Sequence, residues 1–84
     1  MNLDHTGSYT IELEPNAPKD CVPELSSVTT NGNIVTVLDG TAHQSMGGIQ
    51  FYAENTPFSW GYQHLRYIKD ADNNILWKNW DIED

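Results

Sequence analysis

The dipeptide Asn31-Gly32 is the feature that most restricts the fold of this chain. It lies between two runs rich in β-branched residues, 25–30 (Leu-Ser-Ser-Val-Thr-Thr) and 33–38 (Asn-Ile-Val-Thr-Val-Leu). Asn-Gly readily adopts the positive φ angles of a type I′ turn, whose twist matches that of two antiparallel strands. We therefore expect a two-residue hairpin in which Val28 faces Val35, with apolar side chains on both faces of the strand pair.

Alternation of polar and apolar residues predicts another strand at 8–14. Tyr9, Ile11 and Leu13 share one side of this segment, as in a half-buried strand. Extended segments predict further strands at 49–53, 62–69 and 74–80. Turn residues predict a turn at Asp39-Gly40 and an interruption of the sheet at 54–57. The expected fold is all-β, a small antiparallel sandwich or open barrel of five to six strands, and the alternative is an α+β fold with one short helix.

The length of the chain limits it to one domain. A domain near 84 residues buries only roughly 60% of the surface of its unfolded chain, which leaves no second core. We therefore expect a single domain over 1–84. Three prolines within 15–23 predict a loop or an edge covering, because proline lacks the amide donor that a sheet needs. Residues 81–84 (Asp-Ile-Glu-Asp) are expected to form an acidic C-terminal tail.

Cysteine content and hydropathy indicate where the protein works. Cys21 is the only cysteine, so no intramolecular disulfide can form, which favours a reducing compartment. Residues 1–5 lack the basic and apolar regions of a signal peptide, and no stretch approaches the ~18 apolar residues of a membrane span. We expect a cytoplasmic protein, located in the host cytoplasm if the protein is viral.

Charge separates the possible classes of partner. Twelve Asp and Glu residues stand against four Lys and Arg residues, and the formal net charge is −8. Direct binding to nucleic acid or to an anionic membrane is not expected, because affinity for phosphates comes from Lys and Arg. Negative charge on a rigid sheet instead accelerates the encounter with a basic protein surface.

The sequence contains no convincing catalytic or metal-binding pattern. Residues 70–74 (Asp-Ala-Asp-Asn-Asn) open like a calcium loop, but Ile75 occupies the position that requires glycine. The three histidines lack zinc spacing. Glu12 and Glu14 alternate on one strand face and would be ordinary ionised acids. We expect a protein that is not an enzyme and that uses no catalytic residue, metal ion or cofactor.

Two kinds of side chain are predicted to contact a partner: dispersed carboxylates and C-terminal aromatic residues. Trp and Tyr carry much of the binding energy at protein interfaces. Trp60 follows a predicted Pro-Phe-Ser turn and is expected to protrude, whereas core packing is the competing interpretation of Trp77. The predicted partner-binding residues are Glu12, Glu14, Glu54, Trp60, Tyr62, Asp70, Asp72 and Trp77.

These features predict a small acidic protein-binding domain. We expect an inhibitor or immunity-type protein, from a phage or a bacterium, that blocks a basic nucleic-acid-binding enzyme by imitating the charge of DNA. The alternative is a structural or accessory virion domain, or a carbohydrate-binding module that uses the C-terminal aromatic face. The expected oligomeric state is a monomer or a weak homodimer paired through an exposed strand edge.

Overall fold

The computed structural model describes residues 2–82, which form one open antiparallel sheet. Its strands are β1 (Asp4–Leu13), β2 (Val28–Asn31), β3 (Ile34–Gln44), β4 (Gly48–Ala53), β5 (Thr56–Gly61), β6 (Leu65–Asp70) and β7 (Ile75–Lys78). A 3₁₀ turn, Tyr62–His64, joins β5 to β6. The strand order is β5-β4-β3-β1-β6-β7, with β2 also paired to β3. The predicted all-β antiparallel class is confirmed, with seven strands in the described residues rather than five or six.

A β-bulge in the middle of β3 determines this topology. Leu38 and Asp39 together lie opposite Ser8 of β1. The extra residue bends β3 and shifts its alternation by one position, so that Val37 before the bulge and Gly40 after it are both buried. On one side β3 pairs with β1, and on the other its first half pairs with β2 and its second half with β4. The predicted turn at Asp39-Gly40 is therefore wrong, because the strand continues through it.

The hairpin predicted around Asn31-Gly32 is confirmed, but its register differs from the prediction. Val28 pairs with Val37, two positions beyond the predicted partner, and the loop residues are Gly32 and Asn33. Gly32 has a φ of 62° at the first central position, as in a type II′ turn. A shift of two positions preserves which side chains share a face. The second face is less covered than expected, since Leu38 is 54% exposed.

The segment 54–57 was expected to interrupt the sheet, whereas it connects β4 to β5 in a tight hairpin. Glu54 and Asn55 form the two-residue loop, with φ angles of 50° and 64°. Positive φ at both central positions is the requirement of a type I′ turn. Pro57 is tolerated in β5 because this strand lies at the edge of the sheet.

One face of the sheet packs on a single core. The alternating residues Tyr9, Ile11 and Leu13 are all buried, which confirms the predicted pattern of β1. Trp60 is 4% exposed and Trp77 is 8% exposed. The expectation that Trp60 protrudes is wrong, because β5 is a regular strand in which inward side chains alternate with outward ones.

The loop before β2 covers part of this core. Residues 14–27 contain no strand, and Ala17 of this loop is buried. The indole N–H of Trp60 donates a hydrogen bond of 2.7 Å to the carbonyl oxygen of Pro18. The loop therefore supplies the polar partner that a buried tryptophan needs.

The C-terminal hairpin of β6 and β7 is present as predicted, with local departures. Ile68 pairs with Trp77, and both side chains face the core. The regular pairing of β6 with β1 is interrupted near Arg66. The regular pairing of β7 with β6 is interrupted near Leu76. The first part of the predicted strand, Tyr62–His64, forms the 3₁₀ turn instead.

Candidate functional site

The structure divides the predicted partner-binding residues by environment. Trp60 and Trp77 are buried in the core. Glu12 and Glu14 are bound to an arginine. The turn carboxylates of Glu54 and Asp70 accept hydrogen bonds from neutral groups, whereas that of Asp72 accepts none within residues 2–82. Tyr62 belongs to an aromatic cluster.

Glu12 and Glu14 share one cation, Arg66. The Nε of Arg66 donates a hydrogen bond of 3.1 Å to Glu12, and its Nη1 lies 3.4 Å from Glu14. These hydrogen bonds raise the pKa of the guanidinium above its ordinary value. All three side chains are half-buried. A partner that approaches here meets two carboxylates whose field is partly cancelled.

Glu54 and the backbone next to Asp39 both contact Ser27. The Glu54 carboxylate accepts hydrogen bonds from the amide and the hydroxyl of Ser27, at 3.2 and 2.7 Å. The carbonyl oxygen of Ser27 accepts a hydrogen bond of 2.9 Å from the amide of Leu38, the neighbour of Asp39. Ser27 therefore connects the two acidic positions.

Asp70 and Asp72 lie on the other side of β1 from Asp39. The Ser8 hydroxyl accepts a hydrogen bond of 3.1 Å from the amide of Asp39, and the next residue of β1 pairs with Asp70. The Asp70 carboxylate accepts hydrogen bonds from the amides of Asp72 and Asn74, both at 2.9 Å. We call the row formed by Asp39, Glu54, Asp70 and Asp72 the acidic ridge.

Hydrogen-bond donors hold two of the ridge carboxylates, those of Glu54 and Asp70, in their charged form. Hydrogen bonds from the hydroxyl and amide of Ser27 lower the pKa of Glu54. Hydrogen bonds from Asn74, then from the amide of Asp72, and a smaller contribution from the charge of His5 lower the pKa of Asp70. A hydrogen bond to the ionised form favours ionisation without adding an opposite full charge. Glu54 and Asp70 are therefore ordered and remain negative.

Backbone strain coincides with the ridge. Within residues 2–82, the non-glycine residues with positive φ are Asp39 (52°), Glu54 (50°), Asn55 (64°) and Asn73 (70°). Each is a ridge residue or belongs to a turn that carries one. Left-handed backbone costs an L residue roughly 1–2 kcal/mol, although Asp and Asn tolerate it better. Such strain tends to persist at functional positions, which makes the ridge a candidate site.

No Lys or Arg side chain forms a salt bridge with a ridge carboxylate within residues 2–82. Arg66, Lys69 and Lys78 belong to β6 and β7, and Lys19 belongs to the loop before β2. The Nζ of Lys69 lies 5.1 Å from the centroid of the Tyr67 ring. The salt bridges found within residues 2–82 involve other carboxylates, not those of the ridge.

An aromatic cluster lies at the opposite end of β7. The Tyr62 ring stacks on Trp77 at a centroid distance of 5.8 Å and lies 5.1 Å from Trp80. Trp80 is 67% exposed. The buried Asn79 fixes this segment, because its amide donates hydrogen bonds of 2.9 Å to the carbonyl oxygens of Tyr62 and Leu65.

Trp80 is the most exposed aromatic residue within 2–82, and the sequence did not identify it as a binding residue. It lies two residues beyond the end of β7, whereas the predicted strand at 74–80 included it, so no local pattern marked its exposure. In the expected acidic tail, the Asp81 amide donates a hydrogen bond to the Asn79 side chain, while Glu83 and Asp84 lie outside the described residues. The aromatic surface therefore consists of Trp80 and Tyr62, not of Trp60 and Trp77.

The described residues show neither a metal site nor a membrane-spanning helix. Residues 2–82 contain no group of three His, Cys, Asp or Glu side chains arranged to hold a metal ion. No helix among them has the length and apolar character to cross a membrane. The calcium-like segment 70–74 is a turn closed by the side chain of Asp70.

Comparison with known proteins gives no match: no family model fits the chain, and no curated protein or solved structure is significantly similar to it. The acidic ridge and the aromatic surface are therefore the features that bear on function.

Proposed function

We propose that this protein is a small acidic binding domain whose ridge covers the basic, nucleic-acid-binding surface of a protein target. The observation that carries the proposal is the separation of two kinds of carboxylate. The ridge acids are fixed by neutral donors or left unbound, whereas Glu12 and Glu14 are bound to Arg66.

The ridge has the properties that a phosphate-binding surface recognises. Such a surface uses Lys and Arg to neutralise a row of negative groups. The carboxylates of Asp39 and Asp72 accept no hydrogen bond from any other residue within 2–82, so their oxygens are available to a partner. Charge-assisted hydrogen bonds to guanidinium or ammonium groups are stronger than neutral ones.

Rigidity supports the same interpretation. Glu54 and Asp70 are held by hydrogen bonds to the backbone of their own turns or of a neighbouring loop. A preorganised charge loses less side-chain entropy when a partner binds. Electrostatic complementarity mainly increases the association rate and the specificity of such a complex.

The proposed biological role is inhibition of a nucleic-acid-binding enzyme. A phage or bacterial inhibitor, or an immunity-type protein, would meet a nucleic-acid-binding enzyme in the cytoplasm and compete there with DNA. The high net negative charge favours a monomer, because copies of the chain repel each other. These elements rest on charge and size.

Capture of partners with matched variants tests the proposal. The immobilised chain, D39N/E54Q and E12Q/E14Q are each exposed to a nuclease-treated bacterial lysate at low salt. Each double variant removes two negative charges, but only the first removes them from the ridge. We expect the wild type and E12Q/E14Q to retain the same basic nucleic-acid-binding protein, and D39N/E54Q to lose it.

Two further results complete this test. Addition of duplex DNA should displace the captured protein, since both would occupy one basic surface. If D39N/E54Q retains the same protein as the wild type, or if the captured proteins are not basic, the ridge is not the binding surface and the proposal fails.

A further inference from the structure

A shallow cleft of about 200 Å³ lies between the loop after β3 and the β4–β5 hairpin. Its polar lining comes from Ser45, Gln50 and Ser59, and the remainder comes from Ile49, Trp60 and glycine backbone. No ionisable side chain lines it, although the chain carries twelve carboxylates. The cleft is thus suited to an uncharged polar molecule rather than to an ion.

Close approach of the two strands gives the cleft its shape. Gly48 pairs with Gly61 at the open end of the β4–β5 hairpin. A Cβ atom on Gly48 would lie 2.1 Å from the carbonyl oxygen of Trp60, a distance that the backbone cannot accommodate. Only glycine fits there, which keeps the floor of the cleft flat and accessible.

Hydrogen-bonding groups at the cleft are unused. Gln50 and Ser59 face each other across the β4–β5 pair, and neither side chain has a hydrogen-bonding partner within residues 2–82. The Ser45 hydroxyl donates a hydrogen bond of 3.0 Å to the carbonyl oxygen of Gly48, and its lone pairs remain able to accept one. Two donors and several acceptors therefore converge on a neutral cavity.

Tyr62 connects this cleft to the exposed indole of Trp80. It directly follows Gly61, and its hydroxyl donates a hydrogen bond to the carbonyl oxygen of Ser45, so one end of the ring borders the cleft loop. Its ring lies 5.1 Å from that of Trp80. Asn79 holds the Trp80 segment in place through two hydrogen bonds. Tyr62 therefore contacts both the loop that lines the cleft and the Trp80 ring, which itself lies outside the cleft lining.

We propose that the cleft and the Trp80 ring bind one residue of an uncharged saccharide. The C–H face of a pyranose ring would pack on the Trp80 indole, and its hydroxyls would hydrogen-bond to Gln50, Ser59 and Ser45. Ligand sites commonly combine an aromatic wall with a few placed polar groups in this way. The cleft is large enough for a single pyranose ring, and the −8 charge of the chain disfavours an anionic sugar.

The test is a titration of the ¹⁵N-labelled protein with four neutral methyl pyranosides, those of glucose, galactose, mannose and N-acetylglucosamine. We expect at least one to cause saturable shifts in the amides of 45–50 and 59–61 and in the Trp80 indole N–H. W80A should weaken that binding by about tenfold, and Q50A should weaken it as well. The exposed apolar residue Ile75 lies at the other end of β7, so I75A should bind as the wild type does.

Three results would overturn the proposal. The first is the absence of saturable shifts with all four sugars, and the second is unchanged binding by both W80A and Q50A. The third is saturable binding of a proline-rich peptide to the same residues, with no response to sugar. Salt distinguishes this site from the ridge: raising ionic strength should leave sugar binding unchanged, whereas partner binding through the ridge should weaken.

Discussion

The two groups of carboxylates on this molecule differ in what holds them. Glu12 lies on β1, Glu14 follows the end of that strand, and both are bound to Arg66. The ridge acids lie on a bulge and two turns, where hydroxyls, backbone amides or solvent surround them. An ion pair orders a side chain but reduces its field, whereas a neutral donor orders it and leaves the field intact. Within residues 2–82, Glu54 and Asp70 combine order with a charge that no Lys or Arg side chain pairs.

The distance between the two groups makes this comparison testable. Glu12 and Glu14 lie four to six residues beyond Ser8 along β1, which corresponds to about 13–20 Å of strand. The Debye length at physiological ionic strength is about 8 Å. A partner seated on the ridge should therefore sense the ridge acids strongly and the Arg66-bound pair weakly.

Association kinetics should show the largest difference between the two groups. With the captured basic partner at physiological ionic strength, D39N/E54Q should associate about tenfold more slowly than the wild type, because it loses steering charge at the contact. E12Q/E14Q should change the rate less than about twofold. Stopped-flow or surface-based kinetics measure both, and equal slowing by the two variants would remove the distinction.

Loss of Asp70 should destabilise the C-terminal hairpin more than loss of Asp72. D70A removes the acceptor for two backbone amides of the β6–β7 turn, and buried or turn amides left unpaired are costly. D72A removes a carboxylate that accepts no hydrogen bond within residues 2–82. The midpoint of thermal unfolding should be lower than that of the wild type for D70A but not for D72A. In D70A, the amide hydrogens of Asp72 and Asn74 should also exchange faster with solvent. Equal midpoints would show that Asp70 does not hold the turn.

Asp39 should contribute charge at the expense of stability. D39G relieves the positive φ of 52° at the bulge and should stabilise the fold by up to ~1 kcal/mol. D39N removes the charge but keeps a side chain that tolerates left-handed backbone, so its stability should match the wild type. Both should bind the partner more slowly. Chemical denaturation measures stability, and a destabilised D39G would contradict the strain argument.

The pH dependence of stability should be the smallest effect. The folded-state pKa of Glu54 lies below its unfolded value, so this carboxylate stabilises the fold above an ordinary carboxylate pKa of about 4. That contribution is lost as pH falls through the folded-state pKa. S27A should return the pKa of Glu54 toward its ordinary range. It should therefore reduce the amount of stability that the fold loses as the pH falls. A carbon-detected NMR titration of Glu54 checks the shift, which should persist unchanged if Ser27 is not its cause.

The sequence predicted those parts of the fold that local patterns determine. Strict alternation identified Tyr9, Ile11 and Leu13 because β1 has one buried face. The hairpin around Asn31-Gly32 was found, although its register was wrong, because Gly32 alone supplies the positive φ and thus occupies the first loop position.

Features that depend on distant pairing were not predictable. Asp39-Gly40 resembles a turn, and positive φ occurs in turns and bulges alike; the pairing of β4 with the second half of β3 is what keeps the strand continuous. Trp60 was misplaced because Pro57 suggested a break, whereas an edge strand accepts proline. Glu12 and Glu14 were expected at the surface, but nothing local shows that Arg66 of β6 reaches both of them.

The bulge in β3 also gives this strand one position at which its length can change. Deleting one codon at position 38 or 39 would remove the extra residue and leave regular pairing with β1. Val37, Gly40 and Ala42, now buried, would still point inward. Deleting a codon elsewhere in the interior of β3 would instead turn the residues on one side of the deletion to the opposite face. The gene can therefore lose an amino acid at the bulge more readily than at other positions of β3.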